Sequence, residues 1–280
     1  LTESRNYIRE GLYEQAQNSL AQVYKLARTP QERMTAAFNL AEVEANLGDL
    51  SRAYNYYNQS LQLALETGDN KVANFCQKSI EIIDIYNLAK KLRQGDKYEE
   101  SIEEFNRAIL YCDKINNDVL KIKSLRQQSI AFLNLRNYQV FLEKNIKANE
   151  IAKKINNHIE LISTLINIGH YYFLIDNINL AMENFDSAIL LSNREGLPPD
   201  VVFDAYYNAG VMRIDIGQYD KAIEHLNMAM KLISADKSNP YYTACFINLG
   251  YAYTKRALTA GDSEDYDRAL EYFNQALTAA

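Results

Sequence analysis

The 280-residue chain is poor in the residues that interrupt helices or cross-link a fold: it has 4 Pro, 10 Gly, 3 Cys and no Trp. So little Pro and Gly disfavours β-turns and permits long helices. Cys76, Cys112 and Cys245 lie far apart and include no C-x-x-C pair, which excludes a disulfide framework or a zinc site of that type. We expect each to be a buried apolar residue in a cytoplasmic, reducing environment.

Long apolar runs and excess positive charge are also missing. No stretch approaches the roughly 20 apolar residues of a membrane span, so we expect no membrane partner. The net charge is −6, which disfavours nucleic acid, because proteins that bind it usually carry a basic face. One segment departs from this balance: residues 113–154 contain nine Lys/Arg and four Asp/Glu. It is either a solvated mixed surface or a docking patch for an acidic partner.

Residues that indicate catalysis are scarce. His158, His170 and His225 share no metal-ligand spacing, and no phosphate-binding loop or nucleophile motif occurs. We therefore expect no enzyme activity, no cofactor and no metal. The chain starts at Leu1 rather than at Met and ends within a helical pattern, so we expect it to be a fragment of a longer protein.

A short phrase recurs along the chain: a small residue, three residues, an aromatic residue or Leu, two residues and usually Ala; it has seven copies, of which the one at Phe141 matches poorly. Ala181-x3-Phe185-x2-Ala188 is a clear copy, and the copies begin at positions 16, 53, 101, 141, 181, 222 and 269. A second phrase, such as Asn248-Leu249-Gly250, precedes most copies. The spacing of three and four forms one stripe on a helix. A single helix pair cannot bury both of its faces, so such pairs must stack.

The two phrases resemble the tetratricopeptide repeat, in which helix A carries L-G-x-x-Y and helix B carries A-x-x-x-F-x-x-A. Ile168-Gly169-x-x-Tyr172 followed by Ala181, Phe185 and Ala188 is the best match. The usual Trp is absent and the period is near 40 rather than 34, as in the subclass found in kinesin light chains, Pins-type polarity scaffolds and bacterial signalling proteins. The resemblance implies an all-α fold, a right-handed superhelix (α-solenoid) of stacked antiparallel helix pairs.

We expect residues 1–280 to form a single array of about seven units: a partial unit 1–31, then 34–68, 69–116, 118–155, 158–196, 199–237 and 239–280. Asn70 to Arg93 reads as one long helix A, and an insertion at 255–261 extends the last helix A. The fourth unit departs most, since Arg136 replaces the turn Gly and Asn145 replaces the aromatic residue. We expect that unit to be the least stable.

The resemblance also implies which residues point into a concave groove. The residue just before the second phrase does so, at Asn39, Asn87, Asn167, Asn208 and Asn248, and the fourth unit has Gln127 at the matching position. A side-chain amide can pair with both the N–H and the C=O of an extended peptide, so a row of amides is a backbone clamp. The alternative is that each amide caps a neighbouring helix or contacts the adjacent unit.

The flanking positions are mostly apolar or aromatic. Immediately before the amides lie Phe38, Tyr86, Arg126, Ile166, Tyr207 and Ile247. Three residues after them lie Glu42, Lys90, Ile130, His170, Val211 and Tyr251. This lining favours a ligand with hydrophobic anchors. Lys123 and Arg126 are the only basic pair that we place in the groove, which disfavours a doubly acidic C-terminal ligand.

The function that these features favour is a protein–protein interaction module and scaffold, which binds a peptide or partner segment in its concave groove. Two alternatives stay open. One is a regulatory sensor that controls an enzymatic or DNA-binding domain outside this fragment. The other is self-association as a structural scaffold, because stacking can continue between chains when a terminal repeat has no polar cap.

Overall fold

The computed structural model describes residues 2–233 and 241–279. That part of the chain contains fourteen α-helices and no strand, which confirms the predicted all-α class. The helices are α1 (Thr2–Glu10), α2 (Tyr13–Leu26), α3 (Pro30–Leu47), α4 (Leu50–Thr67), α5 (Asn70–Gln94), α6 (Tyr98–Ile115), α7 (Asp118–Asn134), α8 (Tyr138–Lys154), α9 (His158–Leu174), α10 (Ile178–Ser192), α11 (Pro199–Asp215), α12 (Tyr219–Ile233), α13 (Tyr241–Ala260) and α14 (Ser263–Ala279).

The helices divide into two compact units. Unit 1 extends to Tyr171 and includes Glu195–Leu197; unit 2 consists of Tyr172–Arg194 and the chain from Pro198 onward. In unit 1 the pairs α3/α4, α5/α6 and α7/α8 pack internally, and α4 and α6 also pack on the first helix of the next pair. In unit 2 the pairs α11/α12 and α13/α14 are joined in the same way by α12 and α13. The grouping of all these pairs into one seven-unit array stays a prediction.

The two unusual helix lengths follow from the sequence. Helix α5 has 25 residues and covers the whole stretch predicted as one long helix A. Helix α13 has 20 residues and continues through the inserted segment to Ala260. Gly261 follows in the left-handed region, with φ of 70°, where glycine carries no Cβ penalty.

Most turns between helices use the same local device. A residue with positive φ ends one helix, and an Asp or Asn directly after it caps the next. At the first such turn Gly48 has φ of 99°, and the Asp49 carboxylate accepts a hydrogen bond from the Arg52 N–H at 2.9 Å. Because Asp and Asn accept well at this position, the turn is encoded within a few residues.

The residue at the centre of the second helix in a pair is the main core contact. Tyr57, Phe105, Phe185 and Leu226 occupy this position, and all four are fully buried. Small residues let the first helix approach: a Cβ added to Gly210 would lie 2.8 Å from Cγ of Leu226. The three cysteines are free and buried, as expected from the sequence.

In the fourth unit this central position is Asn145, and the structure shows that it is fully buried and satisfied. Its Nδ2 donates to Ser129 Oγ at 2.9 Å and to the Phe141 carbonyl at 2.8 Å. Its Oδ1 accepts from Asn167 Nδ2 at 2.9 Å. A buried amide with partners of this kind avoids the desolvation penalty of an unsatisfied group. A conformational cost in this unit remains at Arg136, which has a positive φ.

We predict that Arg136→Gly stabilises the protein. Arg136 is exposed and has φ of 58°, in the left-handed region that costs a residue with a Cβ about 1–2 kcal/mol. The greater freedom of glycine in the unfolded chain cancels about 0.4–1 kcal/mol of this, so the net gain is about 0.5–1 kcal/mol. Thermal unfolding followed by circular dichroism measures it. Arg136→Ala, which removes the same charge but keeps Cβ, is the control; an equal gain there would contradict the explanation.

Candidate functional site

The predicted groove residues lie on the first helices of the pairs, α3, α5, α7, α9, α11 and α13. Helices α3, α5 and α7 belong to unit 1 and helices α11 and α13 to unit 2, while Ile166, Asn167 and His170 of α9 lie in unit 1. The exposure of these residues differs between the two units, so each unit is described separately.

Unit 1 contains a group of polar side chains from α3, α7 and the start of α9, all buried except Arg126, which is partly exposed. We call it the inner polar cluster, and it consists of Asn46, Lys123, Arg126, Asn157 and Glu160. Lys123 Nζ lies 2.6 Å from Glu160 Oε1, and Arg126 Nη1 lies 2.6 Å from Glu160 Oε2. Both carboxylate oxygens of Glu160 therefore have a cationic partner, while the Glu160 side chain is entirely buried.

The charge state of Glu160 follows from two opposing effects. Burial alone would raise the pKa of this carboxyl group. The charges of Lys123 and Arg126, together with their hydrogen bonds, outweigh burial and lower the pKa of Glu160 to about 2. Glu160 is thus ionised at neutral pH and neutralises much of the positive charge around it.

Two asparagines tie the same region to α3. The Asn157 side chain caps α9, since its Oδ1 accepts the Glu160 N–H at 3.0 Å. Its Nδ2 donates to Asn46 Oδ1 at 2.7 Å, across 111 residues of sequence. Both side chains are buried. Asn157 therefore caps α9 and at the same time connects it to α3 within unit 1.

The first helix pair lies against the same side of unit 1. Asn156 Nδ2 donates to the Arg9 carbonyl at 3.3 Å, and Gln17 Nε2 donates to Glu44 Oε1 at 2.8 Å. Burial, and then the negative charge of Glu160, raise the pKa of Tyr13 to about 12. These contacts bring α1 and α2 against α3 and against the turn that precedes α9.

Several predicted groove residues of unit 1 are engaged within the chain. Lys123 was predicted to be a groove cation, but it is buried and ion-paired with Glu160, so it is not accessible to a ligand. Gln127 Oε1 accepts from Arg93 Nη2 at 3.0 Å, and Asn39 Nδ2 donates to the Thr35 carbonyl at 2.8 Å. Tyr86 and Ile166 are buried.

The other predicted residues of unit 1 are more accessible. Asn87 and Lys90 are exposed, and His170 is half-buried. Phe38 is half-buried, and its ring centre lies 5.3 Å from that of Phe75. A ligand-binding role for the groove residues of unit 1 stays a prediction, and their contacts within the chain do not favour it.

Glu42, also predicted to face the groove, is part of a second polar contact. Its carboxylate accepts a hydrogen bond from the Tyr57 hydroxyl. Packing around the carboxylate raises the pKa of Glu42, and the hydrogen bond from Tyr57 opposes this shift only in part. Glu42 differs from Glu160 in this respect, because no Lys or Arg of residues 2–233 and 241–279 forms an ion pair with it.

Unit 2 has a different surface on its first helices. We define the unit 2 face as Asp204, Tyr207, Asn208, Val211 and Asp215 of α11 with Tyr241, Ile247, Asn248, Tyr251, Lys255 and Leu258 of α13. Asn248 Nδ2 donates to Tyr207 Oη at 3.0 Å, which places the two helices' residues side by side. The Tyr241 ring centre lies 5.5 Å from that of Tyr207.

Large apolar side chains on the α13 part of this face are open to solvent. Ile247, Tyr251 and Leu258 are 48%, 43% and 63% exposed. Asp204 and Asp215 are exposed on α11. Asn208 Nδ2 donates to the Asp204 carbonyl at 2.7 Å. The face therefore combines apolar side chains, two amides and carboxylates.

Sequence reasoning missed part of both regions. Tyr241 and Leu258 were not predicted, although each lies seven residues from a predicted position, Asn248 and Tyr251, and so on the same helix face. Glu160 was also missed. The available signal was that Glu160 is the only acidic residue in the apolar sequence of α9.

Two functional features are absent from the described ranges. In residues 2–233 and 241–279 no helix has the length and apolar character of a bilayer span. The same residues contain no group of three or more His, Cys, Asp or Glu side chains placed to hold a metal ion.

Models of known sequence families match two parts of this chain. One sequence model of the tetratricopeptide repeat matches residues 1–65, and another matches 203–236 and 250–280. A TPR repeat-containing protein of Methanocaldococcus jannaschii is 22% identical over 272 residues, which is 97% of this chain. The chain spans only 37% of the length of that relative.

Solved structures show the same fold. The apo form of RapI has a TM-score of 0.58 at 14% identity, covering 100% of this chain and 75% of RapI. A signal transduction ATPase with a tetratricopeptide repeat sensor from Pyrococcus horikoshii has a TM-score of 0.57 at 14% identity. The match covers 99% of this chain and 41% of the ATPase. Kinesin light chain-like repeats from Podosopora anserina have a TM-score of 0.56 at 14% identity. The match covers 71% of this chain and 94% of the repeat protein. At these identities the likeness concerns the fold alone, and it supports the long-period subclass.

The inner polar cluster predicts an acid-dependent loss of stability. The pKa of Glu160 is lower in the folded protein than its usual 4.5, so its stabilising contribution is complete above pH 4.5. The contribution falls as pH drops toward about 2, by a total on the order of 3 kcal/mol. Urea unfolding as a function of pH, compared between wild type and Glu160→Gln, measures it.

Glu160→Gln should be less stable at pH 7, since it leaves Lys123 without its charged partner, and its stability should depend less on pH between 4.5 and 2. Glu183→Gln, an exposed carboxylate in unit 2, is the control and should keep the wild-type profile. An unchanged profile in Glu160→Gln would refute the assignment.

Proposed function

We propose that this chain, which has the tetratricopeptide-repeat fold, is a protein–protein interaction module that binds a peptide or partner segment on the exposed faces of its first helices. The fold supports an interaction scaffold in general, and proteins built this way are typically not enzymes. The observation that carries the more specific proposal is the unit 2 face, where large apolar side chains stand beside two amides. Exposed apolar patches rimmed by polar groups are typical of interaction sites.

Binding would use two kinds of contact. Asn208 and Asn248 each spend a donor within the chain, on the Asp204 carbonyl and on Tyr207 Oη. A side-chain amide has two N–H donors and a carbonyl acceptor, so amides of this kind can exchange hydrogen bonds with the backbone of an extended ligand. The neighbouring Ile247 and Tyr251 would receive the ligand's apolar side chains, which gives selectivity.

A second proposal is the regulatory sensor. It is supported by the Pyrococcus horikoshii protein, in which repeats of this fold are described as the sensor of a larger ATPase. Because the chain spans 37% of its curated relative and 41% of that ATPase, repeats of this kind occur within longer proteins. A domain controlled by ligand binding would then lie outside the residues considered.

A third proposal is self-association through α14. Its Phe273 occupies the central position that is fully buried in α4, α6, α10 and α12, yet Phe273 is 38% exposed. Tyr266, Leu270 and Leu277 on the same stripe are exposed as well. A second copy of the chain would cover this stripe. If the sedimentation coefficient keeps the value of a monomer at high protein concentration, this proposal is wrong.

The main proposal predicts that the two amides of unit 2 control affinity. Random 16-residue segments displayed on phage should yield binders, and Asn208→Ala combined with Asn248→Ala should weaken their binding. Each lost hydrogen bond costs about 0.5–1.5 kcal/mol, so the pair should cost roughly tenfold in affinity. Calorimetry measures the affinity, and thermal unfolding is followed in parallel.

The control is Glu183→Ala combined with Lys221→Ala, since both side chains are exposed and lie on second helices of unit 2. This variant should bind normally. Selected peptides that bind the double Asn variant as well as wild type would refute the amide clamp. A large drop in the melting temperature of the Asn variant would instead assign the amides a structural role.

A further inference from the structure

We infer that the unit 2 face is selective for a segment that carries both large apolar side chains and Lys or Arg. This inference rests on the proposed function, because it specifies the chemistry of the ligand bound there. It is carried by the charge distribution between the units, by the arrangement of carboxylates and apolar side chains on the face, and by the contacts that its tyrosines make.

The net charge of the chain lies entirely in unit 2. Unit 1 contains 22 Lys/Arg and 22 Asp/Glu, whereas unit 2 contains 8 Lys/Arg and 14 Asp/Glu. The field around unit 2 is therefore negative and that around unit 1 is balanced. A cationic segment would be attracted to unit 2 from a distance, which raises the rate of encounter at low salt.

On the face itself, the two carboxylates of Asp204 and Asp215 outnumber the single ammonium group of Lys255. Asp204 and Asp215 are exposed on α11, with Asn208 and Val211 between them at spacings of four, three and four residues. This spacing puts all four on one stripe. The apolar side chains of Ile247, Tyr251 and Leu258 form the neighbouring stripe on α13. A ligand that lies across both helices would meet apolar surface on one side and carboxylates on the other.

The tyrosines of α13 already hold cations. Lys255 Nζ lies 5.0 Å from the ring centre of Tyr251, and the guanidinium of Arg256 lies 5.0 Å from that of Tyr253. An ammonium group at this distance is attracted to the negative face of the ring. The Lys255 contact shows that the Tyr251 ring attracts a cation, and the same exposed ring offers apolar surface to a ligand.

The inner polar cluster of unit 1 does not form a matching site for an acidic segment. Its basic residues Lys123 and Arg126 are both paired with Glu160, and Lys123 is buried. An acidic segment would have to displace Glu160 from two ion pairs in order to use them. The acidic-partner interpretation of residues 113–154 therefore gains no support from these two residues.

Two synthetic peptides test the inference. One has Leu on one helical or strand face and Lys at the other positions; the second has the same Leu pattern with Glu in place of Lys. Each is labelled, and its binding to the protein is measured by fluorescence anisotropy at low and at high salt. We expect the Leu/Lys peptide to bind at least about tenfold more tightly than the Leu/Glu peptide, with an affinity that falls as salt increases.

Three variants locate the binding. Ile247→Ser combined with Tyr251→Ser should reduce the affinity for the Leu/Lys peptide by about tenfold or more. Asp204→Asn combined with Asp215→Asn should reduce it several-fold and make it less sensitive to salt. Leu190→Ser is the matched control, because it removes an apolar side chain that is 74% exposed in unit 2 but lies on α10, outside the face.

The outcomes separate this inference from the proposed function. Equal affinity for the two peptides, or an equal loss in Leu190→Ser, overturns the inference. Displayed segments that depend on Asn208 and Asn248 but lack Lys and Arg would leave the proposed function standing and overturn the inference alone. If the Ile247/Tyr251 variant fails to fold, Leu258→Ser tests the same stripe, since that side chain is 63% exposed.

Discussion

The structure depends on one packing constraint: the central residue of each second helix needs the next helix pair to bury it. Tyr57 packs with Cys76 and Ile83 of the following helix α5, and Leu226 packs with Leu249 and Ala252 of α13. Burying a side chain of this size contributes about 1.5–3 kcal/mol. A helix pair alone leaves this contribution unrealised, so stability accumulates only through stacking. Small residues such as Gly210 allow the close approach that the stacking requires.

A second, polar layer is added to this frame in unit 1. Glu160 with Lys123 and Arg126 forms a buried ionic group, and Asn157 binds Asn46 beside it. Buried ion pairs of this kind add little net stability compared with apolar residues, because desolvation offsets much of the attraction. Removing one partner is nevertheless costly, so the group favours one arrangement of α3, α7 and α9 over others. In unit 1 the polar side chains of the first helices bind one another, whereas the first helices of unit 2 leave apolar side chains exposed to solvent.

The candidate site was only partly predictable from the sequence. The row of amides was visible in the sequence, because five Asn residues directly precede the second repeated phrase and Gln127 has the matching position in the fourth unit; its role in binding stays a prediction. Their partners were not found. Asn39 and Asn208 bond to carbonyls one turn earlier on their own helices, which the residue type permits but does not require. Asn167 and Asn248 bond to other helices, and that depends on how the pairs pack.

The sequence by itself determined the helices, their pairing and their turns. These features depend on neighbours within a few residues: the spacing of three and four, the left-handed residue that ends a helix, and the Asp or Asn that caps the next. Tertiary structure alone decided which polar groups meet. Lys123 and Glu160 are 37 residues apart, and Asn46 and Asn157 are 111 apart. Such contacts depend on the rotation accumulated over several stacked pairs, and no local pattern in the sequence specifies that sum.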